Sequence, residues 1–436
     1  MKTSLSDHSQ QDWTIKDSAK LYALEQWGDK YFSINEKGNI NVHPKRINHH
    51  YLDLMELVNE LKGRNLQLPI LIRFDDILEN RLKELHRAFE KAISTYDYQG
   101  TYQGVFPVKC NQHRHVVEEL ITCGKAWHFG LEAGSKAELL IALSLIDDPL
   151  AFLICNGYKD SRYIETAILA RQLGRKPVVV IEQIDEVERI ISASQELNAA
   201  PLIGIRAKLS SESNGRWGES IGEKAKFGLS IPDILLTIEK LRKAKLLNEL
   251  KLLHFHVGSQ INDIAILKDA LQEAGQIYIE LKRQGAPMGL LDVGGGLGVD
   301  YDGSKTATTA STNYSLQNYA NDVVATVREC CETNQIEMPT LISESGRALA
   351  SHFSILVFNI LGTNTIPASI PKTNSNECLA LRNLRETYKL IQNFSSESNN
   401  ETSMLQEMWN DAIKFKNDVL SSFRLGYISL RERAVA

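Results

Sequence analysis

Short apolar runs alternate with helix-period segments from residue 101 onward for roughly 250 residues, the length that eight strand–helix units need. This predicts an α/β chain built on a (β/α)8 barrel. Four polar motifs each close one of those runs, and strand ends are where such barrels assemble their chemistry. Short strands before the barrel and amphipathic segments after it add an incomplete β-domain and a C-terminal helical segment. The expected organisation is N-terminal strands and linker over 1–68, the barrel with a lead-in strand and helix over 69–350, a return to the β-domain over 351–376, and helices over 377–436.

Taken in order, Leu21–Leu24, Tyr31–Ile34 and Ile40–Val42 read as strands, the last two joined by the turn Asn35-Glu36-Lys37-Gly38-Asn39. A linker helix is expected at about 51–62 and a strand at Pro69–Phe74. Asp75-Asp76 then reads as the cap of a helix over 77–96, where Leu78, Leu82, Leu85 and Phe89 keep helical spacing. The eight barrel strands fall at Tyr102–Val108, Trp127–Leu131, Ala151–Cys155, Val178–Ile181, Leu202–Ala207, Leu252–Val257, Leu290–Val293 and Thr340–Ser343. Helical patterns such as Asp185–Glu196 and Ile264–Arg283 separate them. Past the barrel come an apolar run, Phe353–Leu361, a Pro- and Asn-rich stretch over 362–376, and helical patterns at 378–393 and 402–421. The last segment, Ser429–Ala436, forms helix well but carries no stop signal. That ending predicts a fragment with little or no activity of its own.

A net charge of −5 gives no basic field for nucleic acid. The six cysteines form neither a CxxC metal pattern nor a disulfide framework, which fits a reducing, cytoplasmic setting. Met1–Trp13 lacks the apolar core of a signal peptide, and no window reaches the length of a membrane span.

The chemistry centres on Val105-Phe106-Pro107-Val108-Lys109-Cys110-Asn111. A lysine closing a strand has a fixed root and a long stem, so its amine can reach across a barrel mouth as a nucleophile. By itself it is an ordinary solvated strand end. Three further motifs share its rim: Leu253-His254-Phe255-His256-Val257-Gly258-Ser259-Gln260, Leu291-Asp292-Val293-Gly294-Gly295-Gly296-Leu297-Gly298 and Ser343-Glu344-Ser345-Gly346-Arg347. The triple glycine lets backbone N–H groups close on phosphate oxygens, and Ser259 offers a hydroxyl beside it. Arg347 suits a bidentate phosphate clamp. Glu344 can hold a ring nitrogen protonated and so deepen an electron sink. One of His254 and His256 suits stacking on an aromatic ring, with the other packed inside the barrel. The sequence offers no carboxylate or cysteine set at matching strand ends to make these histidines a metal site. His113 and His115 open a helix over Asn111–Glu119 and read as surface residues. Together the motifs point to a phosphate-bearing carbonyl cofactor bonded to Lys109.

The motifs Phe-Pro-Val-Lys109-Cys-Asn, His-x-His256-Val-Gly-Ser, Gly294–Gly296 and Glu344-Ser-Gly-Arg347 resemble the fold-type III, alanine racemase-like pyridoxal-phosphate decarboxylases. The segments Phe106–Leu120, Phe129–Leu139, Cys155–Asp160, Gly204–Ser230 and Leu291–Asp302 are similar to the arginine decarboxylase family of bacteria and plants, over about 10 to 430. The resemblance implies pyridoxal 5'-phosphate on Lys109, with His256 against its ring and Glu344 on its nitrogen. It places Ser259, Gly294, Gly295, Gly296, Gly346 and Arg347 at the phosphate and Arg206 near the ring edge. Leu291, Asp292, Val293, Leu297, Gly298, Val299, Asp300 and Tyr301, with the three glycines, then line the substrate side. Also implied are L-arginine as substrate, agmatine as product, polyamine synthesis, a β-domain from both chain ends, and a homodimer or dimer of dimers. A Mg2+ requirement is implied with no ligands identified.

The family also carries, nearer its C-terminus, a cysteine–aspartate motif from a partner subunit. None of Cys110, Cys123, Cys155, Cys330, Cys331 and Cys378 has such a setting. The barrel motifs fix the cofactor more firmly than the substrate side chain. Another basic amino acid or diaminopimelate decarboxylase, or a catalytically silent cofactor-binding relative, is therefore the alternative.

Overall fold

Eight parallel strands close on themselves because each buries both of its faces, one inside the barrel and one under the surrounding helices. The structure, a computed structural model, describes residues 13–47, 49–210, 225–364, 377–394 and 401–436. Its strands are β1 (Phe32–Ile34), β2 (Ile40–Val42), β3 (Leu52–Asp53), β4 (Ile70–Arg73), β5 (Tyr102–Pro107), β6 (Gly130–Ala133), β7 (Phe152–Cys155) and β8 (Lys176–Ile181). They continue with β9 (Ile203–Arg206), β10 (Leu250–His254), β11 (Leu290–Asp292), β12 (Thr340–Ser343) and β13 (Ser354–Val357). β5 to β12 run in order round the barrel, and β12 closes on β5 with Leu341 opposite Tyr102 and Ser343 opposite Gly104.

Side-chain alternation sorts the barrel residues into two cores. Val105, Ile154, Val178, Val180, Leu252 and Ile342 fill the interior, whereas their neighbours Phe106, Leu153, Val179, Leu253 and Leu341 pack outward under the helices. The helices Asp75–Thr95, Ile264–Arg283 and Leu316–Thr333 supply much of that outer core through Leu82, Phe89, Leu271, Tyr278, Tyr319 and Val323.

Five expectations need correction. Leu21–Leu24 is not a strand: helices at Ile15–Leu21 and Leu24–Trp27 meet there. The overlooked signal is Thr14, whose side chain accepts from the Asp17 N–H while the Asp17 carboxylate accepts from the Thr14 N–H. Asp75 and Asp76 lie inside the first turn of their helix rather than capping it, where carboxylates favour the helix dipole. Trp127 belongs to the 3-10 turn Lys125–Trp127, and β6 begins only after left-handed His128. Lys109 sits in a 3-10 turn, Val108–Cys110, just past β5. β10 ends at His254, so His256 stands on a loop and the two histidines do not share a strand face.

Outside the barrel, β1, β2 and β3 form one antiparallel sheet, and β4 pairs antiparallel with β13 in another. No helix among the described residues is long and apolar enough to cross a membrane. The chain divides into two compact units, Met1–Asn359 and Ile360–Ala436. The second contains the helices Leu379–Gln392, Glu401–Arg424 and Leu430–Val435, with Leu381, Val419 and Ile428 as its buried core. Ser429 caps the last helix through a reciprocal pair with Glu432. The stretch 365–376, part of Gly204–Ser230 and the loop 395–400 lie outside the described residues.

Candidate active site

On five of the strands the last interior apolar residue is followed two positions later by a polar one, since alternate side chains share a face. Thus Ile154 leads to Asn156, Val180 to Glu182, Leu252 to His254, Leu290 to Asp292 and Ile342 to Glu344. Glu132 on β6 and Arg206 on β9 join them, and Lys109 follows β5. Every strand therefore contributes one polar side chain to a layer at the C-terminal rim. Glu132, Asn156 and Glu182 were not singled out from the sequence. Extending the period-2 pattern by one residue past each apolar run would have found them.

The layer is strongly interlocked. Lys109 Nζ donates to Glu132 Oε1 at 3.0 Å, and Arg206 donates to Glu182 Oε1 at 2.8 Å. Asn156 Nδ2 donates to Glu344 Oε1 at 2.6 Å, and His254 Nε2 lies 3.4 Å from the same oxygen. Burial opposes the Lys109 charge, but Glu132 and Glu344 outweigh it and hold the ammonium's pKa above its ordinary value. Burial and the charge of Glu344 push Glu132 up to about 7, with Lys109 partly offsetting them. Burial also works against Glu344, yet His254 and Lys109 more than compensate and keep it well below the usual carboxylate range.

His256 is half-buried beside the cavity, and desolvation lowers its pKa to about 3, with Arg206 adding to the effect. Its Nδ1 accepts from the Gly258 N–H at 2.9 Å, which fixes the neutral ring with its proton on Nε2. The triple glycine lies against this ring. A Cβ at Gly295 would stand 3.3 Å from His256 Nε2 and 3.0 Å from the Glu344 carbonyl oxygen. Gly296, at φ +101°, could carry no Cβ without meeting the Gly258 oxygen at 2.3 Å. Arg347 donates to Ser259 Oγ at 2.9 Å and to the Tyr301 hydroxyl at 3.0 Å, so its fork joins two of the predicted motifs. Gly346 leaves room for the Lys109 turn, since a Cβ there would meet Pro107 at 2.6 Å.

A cavity of about 580 Å³ opens onto Lys109, Glu132, Asn156, Glu182, Arg206 and His256, with Tyr158 and Phe227 at its sides. Its buried wall is rich in unpartnered polar atoms, among them Glu132 Oε2, Asn156 Oδ1 and Glu182 Oε2. An amine, a neutral imidazole, a low-pKa carboxylate and a glycine-lined loop with an arginine fork fit a phosphorylated pyridine aldehyde. The run Leu291–Tyr301 fits its expected role less well. Leu291, Val293, Leu297 and Val299 have buried side chains, and Asp292 is buried in the barrel. Leu297, Gly298, Val299 and Asp300 border a second cavity of about 510 Å³ that Arg46 and Arg81 also line. Tyr301 is the exposed side chain of the run. His113 and His115 are exposed at the start of the helix Arg114–Gly124, as expected.

The structure does bring a histidine and two carboxylates together, contrary to the sequence reading: His254, Asp292 and Glu344 offer atoms within 4.8 Å of one another. They do not fit Mg2+, which demands near-octahedral oxygen ligation and keeps several waters. All three are buried, one is an imidazole, and Asp292 Oδ1 and Glu344 Oε1 already accept from Gly294 N–H and Asn156.

Residues 79–351 match the family described as pyridoxal-dependent decarboxylase, pyridoxal binding domain. Residues 374–436 match the arginine decarboxylase helical bundle domain. The chain is 68% identical over 425 residues to a biosynthetic arginine decarboxylase of Prochlorococcus marinus, covering 98% of this chain and 66% of the relative. It is 67% identical over 437 residues to that of a Synechococcus species, covering 100% of this chain and 67% of the relative. The chain thus spans about two thirds of the length of the curated relatives it matches. Among solved structures, the biosynthetic arginine decarboxylase from Campylobacter jejuni superposes with a TM-score of 0.72 at 31% identity, over 95% of this chain and 67% of that one. A diaminopimelate decarboxylase from M. jannaschii shares the fold at 20% identity and a TM-score of 0.61, over 76% of this chain and 69% of that one.

Proposed function

This chain belongs to the biosynthetic arginine decarboxylase family of pyridoxal-dependent decarboxylases, and on that premise we propose that it takes part in the decarboxylation of L-arginine to agmatine and carbon dioxide, toward polyamines. The observation that carries the reading is the rim layer: Lys109, Glu344 and His256 converge there, with Arg347 and Ser259 joined beside the glycine loop. When bound, pyridoxal phosphate supplies an electron-withdrawing ring that takes up the electron pair left as carbon dioxide departs.

The residues have distinct tasks in this reading. Lys109 provides the amine that tethers the cofactor, and Glu132 stabilises its ammonium whenever the amine is free. Glu344, ionised in a buried setting, accepts from the ring nitrogen and keeps the proton there. His256 presents a neutral ring face, its orientation set by the Gly258 N–H. Backbone N–H groups of Gly294–Gly296, with Ser259, Gly346 and Arg347, hold the phosphate. Arg206, braced by Glu182, lies toward the ring edge. Tyr301 stands where substrate-side and phosphate-side groups meet, through its bond to Arg347.

A homodimer or dimer of dimers and a cytoplasmic location belong to the same reading and rest on family resemblance. The decisive experiment loads the protein with pyridoxal phosphate and measures carbon dioxide release from arginine, ornithine, lysine and diaminopimelate. Selective release from arginine, with agmatine as product, is expected, and at a substantial rate it would overturn the expectation that the chain has little or no activity of its own. Preference for diaminopimelate would move the chain to the other branch of the fold, and a bound cofactor with no release from any substrate would make it a silent relative.

A further inference from the structure

His254 and Asp292 have no task in the scheme above, although both are fully buried beside the carboxylate assigned to the ring nitrogen. They face each other in register on β10 and β11, and Glu344 follows β12, the next strand of the barrel. Three adjacent strand ends thus deliver three ionisable groups to one water-poor spot, with atoms within 4.8 Å of one another. Such a cluster is costly unless charge is limited and every charged group finds donors.

Glu344 meets that condition asymmetrically. Asn156 donates to its Oε1 at 2.6 Å, and His254 Nε2 approaches the same oxygen at 3.4 Å. Among the described residues no hydrogen bond reaches Oε2. Asn156 fixes one oxygen, and His254 Nε2, which has no hydrogen-bond partner of its own among the described residues, lies nearest that same oxygen, so that Oε2 is left as the remaining acceptor. The His254 contact is longer than a formed hydrogen bond, as catalytic contacts often are before the ligand is bound.

Asp292 has the opposite environment. Its Oδ1 accepts from the Gly294 N–H at 2.8 Å, but Oδ2 is buried with no partner. Burial and the neighbouring charge of Glu344 push its pKa well up, the condition of a protonated acid. Burial also favours the neutral imidazole at His254, which then has an N–H to offer. Neutral partners on both sides let Glu344 hold the single negative charge of the trio.

Resting on the assignment of Glu344 to the ring nitrogen, we propose that His254 is a positioning residue: its Nε2–H donates to Glu344 Oε1 and leaves Oε2 for the cofactor, while Asp292 stands alongside as a neutral carboxylic acid. The protonation of the ring nitrogen then depends on a histidine that does not touch it.

The full chain loaded with pyridoxal phosphate labelled with ¹⁵N at the ring tests this, because the ¹⁵N chemical shift reports the protonation of that nitrogen independently of turnover. The unaltered protein should show the protonated resonance. His254→Leu should move it toward the unprotonated range, and His254→Gln, whose amide still donates, should restore it. Asp292→Asn mimics the neutral acid and should leave it in place. A folded, loaded His254→Leu protein with the unaltered resonance would overturn the proposal, as would a shift in Asp292→Asn as large as that in His254→Leu. If His254→Leu does not fold, His254→Asn, too short to reach Oε1, carries the same expectation and the same power to overturn. An unaltered protein that binds no cofactor would overturn the cofactor assignment itself and this proposal with it. A normal resonance indifferent to residue 254 overturns this proposal alone.

Discussion

Lys109 Nζ and Glu132 Oε1 stand 3.0 Å apart, a half-exposed ammonium against a carboxylate with no exposure at all. Lys109 sits in the turn just past β5 and Glu132 on the neighbouring β6, so the pair follows directly from the barrel closing in sequence order. Glu132 titrates near 7 in the folded chain because burial and the charge of Glu344 outweigh the pull of Lys109. Unfolded, it titrates near its ordinary value of 4.5. Between those values the folded chain binds a proton that the unfolded chain does not, so stability falls as pH rises through the window.

Urea unfolding of the cofactor-free protein should therefore show the original chain losing stability relative to Glu132→Gln between about pH 4.5 and 7, by an amount on the order of 2–3 kcal/mol. Parallel pH profiles for the two proteins would remove Glu132 as the source.

Lys109→Ala should abolish covalent attachment of pyridoxal phosphate after borohydride reduction. Mass spectrometry of the reduced digest checks this, and cofactor found on another lysine of that variant would reassign the tether.

Glu344→Gln keeps the volume and the Asn156 contact but removes the charge. Cofactor should still bind, while kcat falls by roughly 10²–10³, the range for a preorganised electrostatic group. Unchanged turnover would take Glu344 out of the chemistry.

Gly296→Ala sets a Cβ on a backbone at φ +101° and 2.3 Å from the Gly258 oxygen. The loop must shift, at a cost of order 1–3 kcal/mol, and cofactor affinity should fall with it. Equilibrium dialysis of pyridoxal phosphate measures the loss. Wild-type affinity would mean that the loop does not contact the phosphate.

Arg347→Lys keeps the charge but cannot reach Ser259 and Tyr301 together. Cofactor Kd should rise about 10-fold or more, in line with a charged hydrogen bond worth about 1.5–3 kcal/mol. kcat at saturating cofactor should change far less, and an equal loss in both would place Arg347 in the chemical step.

The barrel and its four motifs were legible in the sequence because they are local. A strand and the residue that closes it lie within a few positions, and the apolar runs fix which faces are buried. Lys109, His256, Gly294–Gly296, Glu344 and Arg347 were found that way, and the structure brings them to one rim. The N-terminal helices were misread because a two-residue capping exchange, Thr14 with Asp17, outweighed the apolar look of Leu21–Leu24. Pairings across strands were not legible. Glu132 against Lys109, Glu182 against Arg206, and Asn156 with His254 on Glu344 join residues that are distant in sequence, and only the register of the closed barrel makes them neighbours. The sequence by itself determined which residue types stand at the strand ends. The tertiary structure decided how they differ, because burial and distance set a carboxylate's pKa: of three acids with one ordinary range, Glu344 is held well below it, Glu132 is pushed up to about 7 and Asp292 is raised well above it.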